Sequence, residues 1–220
     1  MDFIPCKRNS EMLRDIYFLP EELPRHTLRI AHFEQVYAPF YPNFSSSLFD
    51  ACLKEFEISS KDWKMDKLSF GQKKKVIIAF GLATQTKILL MDEPTNGLDI
   101  PSKSVFRKMM ATVANDKQLI IISTHQVRDL HSLIDSVIVL DNGEILLNES
   151  NEKITEKLLF QSEEPDTNSE GILYEEENIR GKLVVRENIE QLESKLDIEL
   201  FFNAVMCNKE KIKGIFNTKS

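Results

Sequence analysis

The sequence has few cysteines and no long run of apolar residues. Cys6, Cys52 and Cys207 are far apart and lack the spacing of metal ligands, so we expect reduced thiols. No apolar stretch reaches the length of a membrane-spanning helix, and no signal-peptide core follows Met1. Any role at a membrane therefore requires a partner that crosses the bilayer.

Surplus positive charge is also lacking. The 220 residues carry a formal net charge of -7 at pH 7. Broad nonspecific binding to nucleic acid depends on an excess of Lys and Arg that neutralises phosphates, so the acidic balance argues against it. The length suffices for one domain with a substantial core, or for one domain with a small appendix.

The pattern over residues 1–155 predicts strands that alternate with helices. We expect strands at IYFL, KILLMD and QLIIIST, and helices at RIAHFEQVY, SLFDACLKEF, KKVIIAFGLA and SVFRKMMATV. SVIVLDNGEILL predicts a hairpin, because Asn-Gly favours a tight turn between strands. This alternation predicts an α/β fold with a mainly parallel sheet.

The remaining residues, 156–220, predict a small α+β extension. QSEEPDTNSE is polar and acidic, as in a linker. A second hairpin is expected at GILYEEENIRGKLVVREN, followed by a helix at LDIELFFNAVM.

Two adjacent acids follow the apolar strand KILLMD. Ligands bind at the carboxyl ends of strands in open parallel sheets, so Asp92 and Glu93 are candidates for a site. Asp92 is suited to holding Mg²⁺, and Glu93 to accepting a proton from an attacking water. The alternative is an ordinary strand end with two solvated carboxylates.

Three short stretches add further candidates. In LSFGQ, Ser69 and Gly71 open a predicted helix, whose N-terminus attracts anions. In STHQ, His125 follows an apolar strand and can reach a phosphate that faces the neighbouring acids. In NGLD, Asp99 can bridge to a second subunit. The alternatives are a Ser-capped helix, a structural histidine and a turn.

Together, in this order and spacing, these stretches resemble the ATP-binding cassette (ABC) ATPases over most of residues 14–150. LSFGQ is similar to the signature motif, ILLMDE to the Walker B strand, NGLD to the D-loop and STH to the switch-histidine region. The resemblance implies Mg²⁺ and ATP as cofactors. It implies nucleotide-binding roles for Ser69, Gly71, Gln72 and Asp99, partly towards the nucleotide of a second ABC ATPase subunit in a homo- or heterodimer.

The resemblance also implies a helical subdomain at about residues 23–67, which receives a transmembrane permease subunit. FLPEE places Glu21 where the family has a Gln that contacts Mg²⁺, and a carboxylate can also coordinate this ion. Phe70 stands where the family signature has Gly.

A phosphate-binding loop of the form G-x-x-x-x-G-K-[ST] is missing from the sequence. GLDIPSKS, residues 97–104, comes near the pattern, but Pro101 and Ser102 favour the start of a helix. We therefore expect a partial P-loop NTPase fold of the ABC type, truncated at the N-terminus, with residues 1–155 as its partial ATPase domain. We expect little ATP hydrolysis from this chain alone.

Three functions remain open. The first is the ATPase subunit of an ABC transporter with a separate membrane subunit, in the cytoplasm at the inner face of the cell membrane. The second is a soluble ABC ATPase acting on nucleic acid, which the missing coiled coil and the acidic charge oppose. The third is a nonenzymatic remnant of a cassette that binds a partner.

Overall fold

The computed structural model describes residues 9–114, 117–127, 133–164, 171–178 and 181–217. Its helices are Ser10–Leu13 (α1), Ile30–Tyr37 (α2), Ser46–Glu55 (α3), Phe70–Ala83 (α4), Ile100–Val113 (α5), Asn151–Lys157 (α6), Ile198–Cys207 (α7) and Lys209–Asn217 (α8). Its strands are Ile16–Leu19 (β1), Ile88–Asp92 (β2), Leu119–Ser123 (β3), Ser136–Asp141 (β4), Glu144–Ser150 (β5), Leu158–Glu163 (β6), Ile172–Asn178 (β7) and Gly181–Glu187 (β8).

Contacts divide the chain into two compact units, Met1–Asp129 and Leu130–Ser220. The boundary expected near residue 155 lies inside the second unit. The first eight residues, with Cys6 and the beginning of the segment before FLPEE, lie outside the described residues, as do residues 165–170 of the expected linker. Cys52 and Cys207 are free thiols, as expected.

The first unit is built on a parallel sheet of the order β1-β2-β3. Its register pairs Leu19 with Met91, and Asp92 with Ser123. This confirms the predicted α/β fold with a parallel sheet. The carboxyl ends of β2 and β3 are in register, so the segments that follow these two strands leave the sheet at the same edge.

The two faces of this sheet differ. Tyr17, Leu19, Leu89 and Met91 alternate along their strands towards one face and are buried there. The strand positions in between point to the other face. Three of the apolar side chains at those positions are exposed: Phe18, Leu119 and Ile121.

An aromatic cluster joins α4 to the segments before it. The Phe80 ring contacts Phe33 of α2 and Phe49 of α3, with ring centroids 5.0 and 5.8 Å away. It also contacts Tyr17 of β1 at 5.8 Å. Residues 30–56 thus hold two helices whose aromatic side chains bury themselves against α4, which fixes the position of the helix that LSFGQ begins.

The second unit contains the two predicted hairpins, β4–β5 and β7–β8, and the predicted helix α7. It also contains one strand, β6, and two helices, α6 and α8, that the sequence did not predict. β6 pairs with β8, so that residues 161–163 are strand where a linker was expected. α8 adds Ile212, Ile215 and Phe216 to a core shared with α7 and β8.

Candidate functional site

The site residues meet beyond the carboxyl ends of β2 and β3. Asp92 is the last residue of β2, and its Oδ1 accepts a hydrogen bond from Ser123 Oγ at 2.5 Å. Glu93 follows with a positive φ of 44°, and its backbone N–H donates to the Ser123 carbonyl at 2.9 Å. The left-handed backbone at Glu93 ends the strand, and the two carboxylates have different partners.

Glu93 and His125 are in direct contact, although 32 positions separate them in the sequence. Glu93 Oε1 lies 2.6 Å from His125 Nδ1 and accepts the His125 backbone N–H at 2.8 Å. Glu93 Oε2 accepts from Thr124 Oγ1, also at 2.8 Å. The Glu93 side chain is 11% exposed and that of His125 is 72% exposed.

This contact orients the imidazole. A carboxylate held by three hydrogen bonds fixes the ring through Nδ1, so Nε2 is the nitrogen left for a ligand arriving from solvent. In the present arrangement Glu93 thus serves as the support of His125. To act as a general base it would have to bring an oxygen within hydrogen-bond reach of a water.

Ser69 caps the N-terminus of α4, as its sequence context indicates. Its Oγ accepts from the Gln72 backbone N–H at 3.2 Å, and Gln72 Oε1 accepts from the Ser69 N–H at 3.0 Å, which completes a capping box. The helix has 14 residues, so its first turn presents a positive dipole end. This end is suited to an anion, and the capping role of Ser69 and Gln72 is compatible with that use.

Glycine is required at position 71 for a reason that the sequence does not reveal. A Cβ at Gly71 would lie 2.8 Å from the Gly97 carbonyl oxygen, so the first turn of α4 packs directly on the NGLD turn. Phe70 lies over the same turn, since a Cβ at Gly97 would meet its ring carbons at 2.4 to 2.5 Å. The departure from the family signature at Phe70 is therefore accommodated by a glycine opposite.

Asp99 is the N-cap of α5. Its Oδ1 accepts the Ser102 backbone N–H at 2.9 Å, and Pro101 lies in the first turn of the helix. Hydrogen bonds from Ser102 lower the pKa of the Asp99 carboxyl. The near-match GLDIPSKS is thus the start of a helix, as predicted. A bridge from Asp99 to a second subunit stays a prediction.

Glu21 lies at the same end of the sheet, just after β1. Its Oε1 accepts a hydrogen bond from Asn96 Nδ2 at 2.8 Å. A fully buried lysine, Lys74, points its ammonium towards the backbone carbonyls of Pro20 and Glu21. Sequence reasoning missed Lys74 and Asn96. The sequence shows a lysine in an apolar helix but does not show that this lysine is buried. Only the structure shows which face of α4 carries Lys74.

The residues present fit part of a Mg²⁺–nucleotide site. Asp92 offers a carboxylate of the kind that Mg²⁺ prefers. His125 and the N-terminus of α4 offer groups suited to phosphate. Within the described residues, no group of three or more His, Cys, Asp or Glu side chains could hold a metal. Magnesium would therefore be held jointly by protein carboxylate and nucleotide oxygens, the usual arrangement for this ion.

Solved structures share this fold. An ATP-binding subunit of an ABC transporter superposes with a TM-score of 0.60 at 21% identity, over 69% of this chain and 65% of the other. A bacterial Atm1-family ABC exporter with ATP bound superposes with a TM-score of 0.54 at 24% identity, over 64% and 26% of the two chains. The fold of this chain is therefore similar to that of these ABC ATP-binding proteins.

Sequence comparison finds a family model that matches part of the chain. Residues 7–96 match the family model described as ABC transporter. The ABC transporter ATP-binding protein NatA of Bacillus subtilis (strain 168) is 36% identical over 88 residues, or 40% of this chain and 36% of NatA. Residues 7–96 are thus similar to the ABC transporter family, and the chain is similar to ATP-binding proteins of such transporters.

Longer matches are less identical. The energy-coupling factor transporter ATP-binding protein EcfA2 of Mycoplasmoides gallisepticum is 35% identical over 136 residues, 60% of this chain and 38% of EcfA2. The ribose import ATP-binding protein RbsA of Roseobacter denitrificans is 28% identical over 160 residues, 66% of this chain and 31% of RbsA. The chain spans about a third of the length of these relatives.

Within the described residues, no helix combines the length and the apolar character needed to cross a membrane.

Proposed function

We propose that this chain is part of the ATP-binding and ATP-hydrolysing machinery of an ABC transporter and that it energises transport through a separate permease. The contact between Glu93 and His125 is the observation that carries the proposal. It joins a strand-end acid to a histidine beside the next strand, where a terminal phosphate and an attacking water would be handled. Relatives named as ATP-binding proteins of transporters support it.

Roles follow from the chemistry of each group. Asp92 would hold Mg²⁺ together with nucleotide oxygens, with Glu21 as a second candidate ligand. Glu93 orients and deprotonates the water, and His125 contacts the terminal phosphate through Nε2. Bound Mg²⁺ would supply neutralisation of the charge that develops on the phosphate oxygens.

The first turn of α4 serves a different nucleotide. Ser69, Gly71 and Gln72 form an exposed helix N-terminus suited to the phosphates held by a second ABC ATPase subunit, and Asp99 lies on the turn packed against it. We propose a dimer on this ground, homomeric or heteromeric, attached to the inner face of the cell membrane through the permease. Phe40 and Trp63, both exposed, are candidates for the contact with it.

A measurement of ATP hydrolysis tests the proposal. The 220 residues contain no G-x-x-x-x-G-K-[ST] loop, so we expect the purified chain to release phosphate from Mg²⁺–ATP no faster than a buffer control. A chimera in which a segment with a G-x-x-x-x-G-K-[ST] loop from an ABC ATPase precedes residue 9 should hydrolyse ATP.

Variants of the chimera separate the roles. Glu93→Gln keeps the shape of the side chain and removes its charge, so turnover should fall about 10²–10⁴-fold with ATP binding retained. Asp92→Asn should instead weaken Mg²⁺-dependent binding, and His125→Ala should slow turnover with a smaller effect on affinity. Near-normal turnover of Glu93→Gln in an active chimera would refute the assignment.

A further inference from the structure

Lys74 is a lysine in an otherwise apolar face of α4. The residue is 0% exposed, whereas its neighbours Lys73 and Lys75 are partly exposed. A buried ammonium is costly unless acceptors replace its water. Here the Nζ atom lies 3.3 Å from the Glu21 carbonyl oxygen and 3.4 Å from that of Pro20. The acceptors therefore belong to the loop that follows β1.

Three carboxylates act on the charge of this ammonium. Burial lowers the pKa of Lys74, and the negative charges of Glu21, Asp92 and Glu93 oppose that effect. The first comes from the loop after β1 and the other two from the end of β2. Lys74 is thus a buried positive charge within electrostatic reach of three acidic residues of the site.

The loop after β1 is joined in turn to the NGLD turn. Asn96 Nδ2 donates to Glu21 Oε1 at 2.8 Å, and the next residue, Gly97, packs its carbonyl against Gly71 in the first turn of α4. These contacts connect three segments to one another. Lys74 joins α4 to the loop after β1, Glu21 of that loop accepts a hydrogen bond from Asn96, and Gly97 packs against the start of α4.

We propose that Lys74, the Pro20–Glu21 backbone and Asn96 form a latch in which Lys74 is the positioning residue. Lys74 holds the loop, its charge offsets that of Glu21, and Glu21 holds the turn that carries Asn96 and Asp99. The latch keeps the first turn of α4 and the NGLD turn in one arrangement. Its role in catalysis rests on the proposed function, but the latch itself exists without nucleotide.

Hydrogen exchange of the nucleotide-free chain tests the latch. Lys74→Met keeps the bulk and removes the charge, so exchange in segments 16–22 and 93–99 should rise about tenfold or more. Segment 46–55 in α3 should not change. Lys73→Met, one residue away and partly exposed, is the matched control and should leave all three segments unchanged. A uniform response to Lys74→Met, or none, would overturn the proposal.

A mutant cycle separates charge from packing. Glu21→Gln removes the negative charge but keeps an oxygen that Asn96 can bond. In that background Lys74→Met should raise exchange several-fold less than in the original chain. An equal increase in both backgrounds would mean that Lys74 acts only through the backbone carbonyls of Pro20 and Glu21, and would overturn the role of its charge in the latch. The NMR signal of the Asn96 side-chain amide should shift in Lys74→Met and not in Lys73→Met.

If Lys74→Met does not fold, Asn96→Ala tests the other end of the latch. The Asn96→Ala variant loses the hydrogen bond to Glu21. Amide hydrogen exchange in segment 16–22 should therefore rise, although the sequence of that segment is unchanged. Unaltered exchange there would overturn the latch. Because none of these measurements uses ATP, failure of the latch and failure of the proposed ATPase function are distinguished.

Discussion

At the scale of single residues, glycines decide how closely the site elements approach each other. Gly97 has a φ of 79°, in the left-handed region that side chains disfavour, and the Phe70 ring occupies the space of a Cβ. Gly143 has a similar φ of 82°, but a Cβ there would meet nothing within 4 Å. Both positions have a left-handed backbone that favours glycine. Only at Gly97 would an added Cβ also collide with another side chain.

We expect Gly97→Ala to lower the free energy of unfolding more than Gly143→Ala. Both substitutions incur backbone strain of about 1–2 kcal/mol. Gly97→Ala adds overpacking against Phe70, worth about 1–3 kcal/mol. Denaturant titration of both variants measures the difference.

The variant Phe70→Ala provides the control for Gly97→Ala. In its background the added Cβ meets no ring, so Gly97→Ala should cost about as much as Gly143→Ala. If the two glycine variants were equally destabilised with Phe70 present, the packing of Phe70 on Gly97 would be disproved.

At the scale of secondary structure, α4 carries both a structural cap and the proposed phosphate contact. Its apolar residues bury it against the aromatic cluster, and its capping box fixes where it begins. One side chain, Ser69, therefore serves the stability of the helix and the chemistry of its N-terminus. A substitution can separate the two uses, because Asp caps helices as well as Ser does.

We expect Ser69→Asp to keep the stability of the chain and to repel a phosphate. Ser69→Ala should lose about 1 kcal/mol of stability with the cap. Thermal unfolding measures stability, and ATP hydrolysis by the chimera measures function, which should fall in Ser69→Asp.

Ser45→Ala, at the N-cap of α3, is the control for the cap alone. Ser45 accepts the Leu48 N–H at 3.2 Å, as Ser69 does that of Gln72, so its loss should also cost about 1 kcal/mol. Hydrolysis by the chimera should not change. Normal hydrolysis by Ser69→Asp would argue against an anion site at the start of α4.

At the scale of the whole molecule, an apolar sheet face is exposed to solvent. Phe18 is 56% exposed, Leu119 55% and Ile121 43%, and the register sets Phe18 and Ile121 on either side of Leu90. Parallel sheets in α/β proteins are normally covered on both faces. Contiguous exposed apolar area favours association with other chains.

We therefore expect the 220-residue chain to self-associate as its concentration rises. Ile121→Glu, on the exposed face, should reduce association with little loss of stability. Leu192→Glu, at an exposed leucine in the second unit, is the control and should leave association unchanged. Sedimentation velocity over a range of concentrations measures both. A monodisperse monomer at all concentrations would contradict the expectation.

Much of the architecture follows from local sequence patterns. The apolar runs of β1, β2 and β3 and the periodicity of α2 to α5 identify those elements, because burial selects apolar residues at the spacing of each structure. Asn-Gly marks the turn between β4 and β5. β6 was missed because its polar residues, such as Gln161 and Ser162, are typical of linkers and are held in the strand by pairing with β8.

The sequence by itself determined which residues stand at strand ends and helix starts, since Asp92, Glu93, Ser69 and His125 are marked by their flanking patterns. Only the tertiary structure decided which of them touch. The parallel register of β2 and β3 brings Glu93 to His125, and the packing of α4 buries Lys74 beneath the loop of Glu21. Such contacts join residues far apart in the chain, so they depend on the packing of whole elements, which no local pattern specifies.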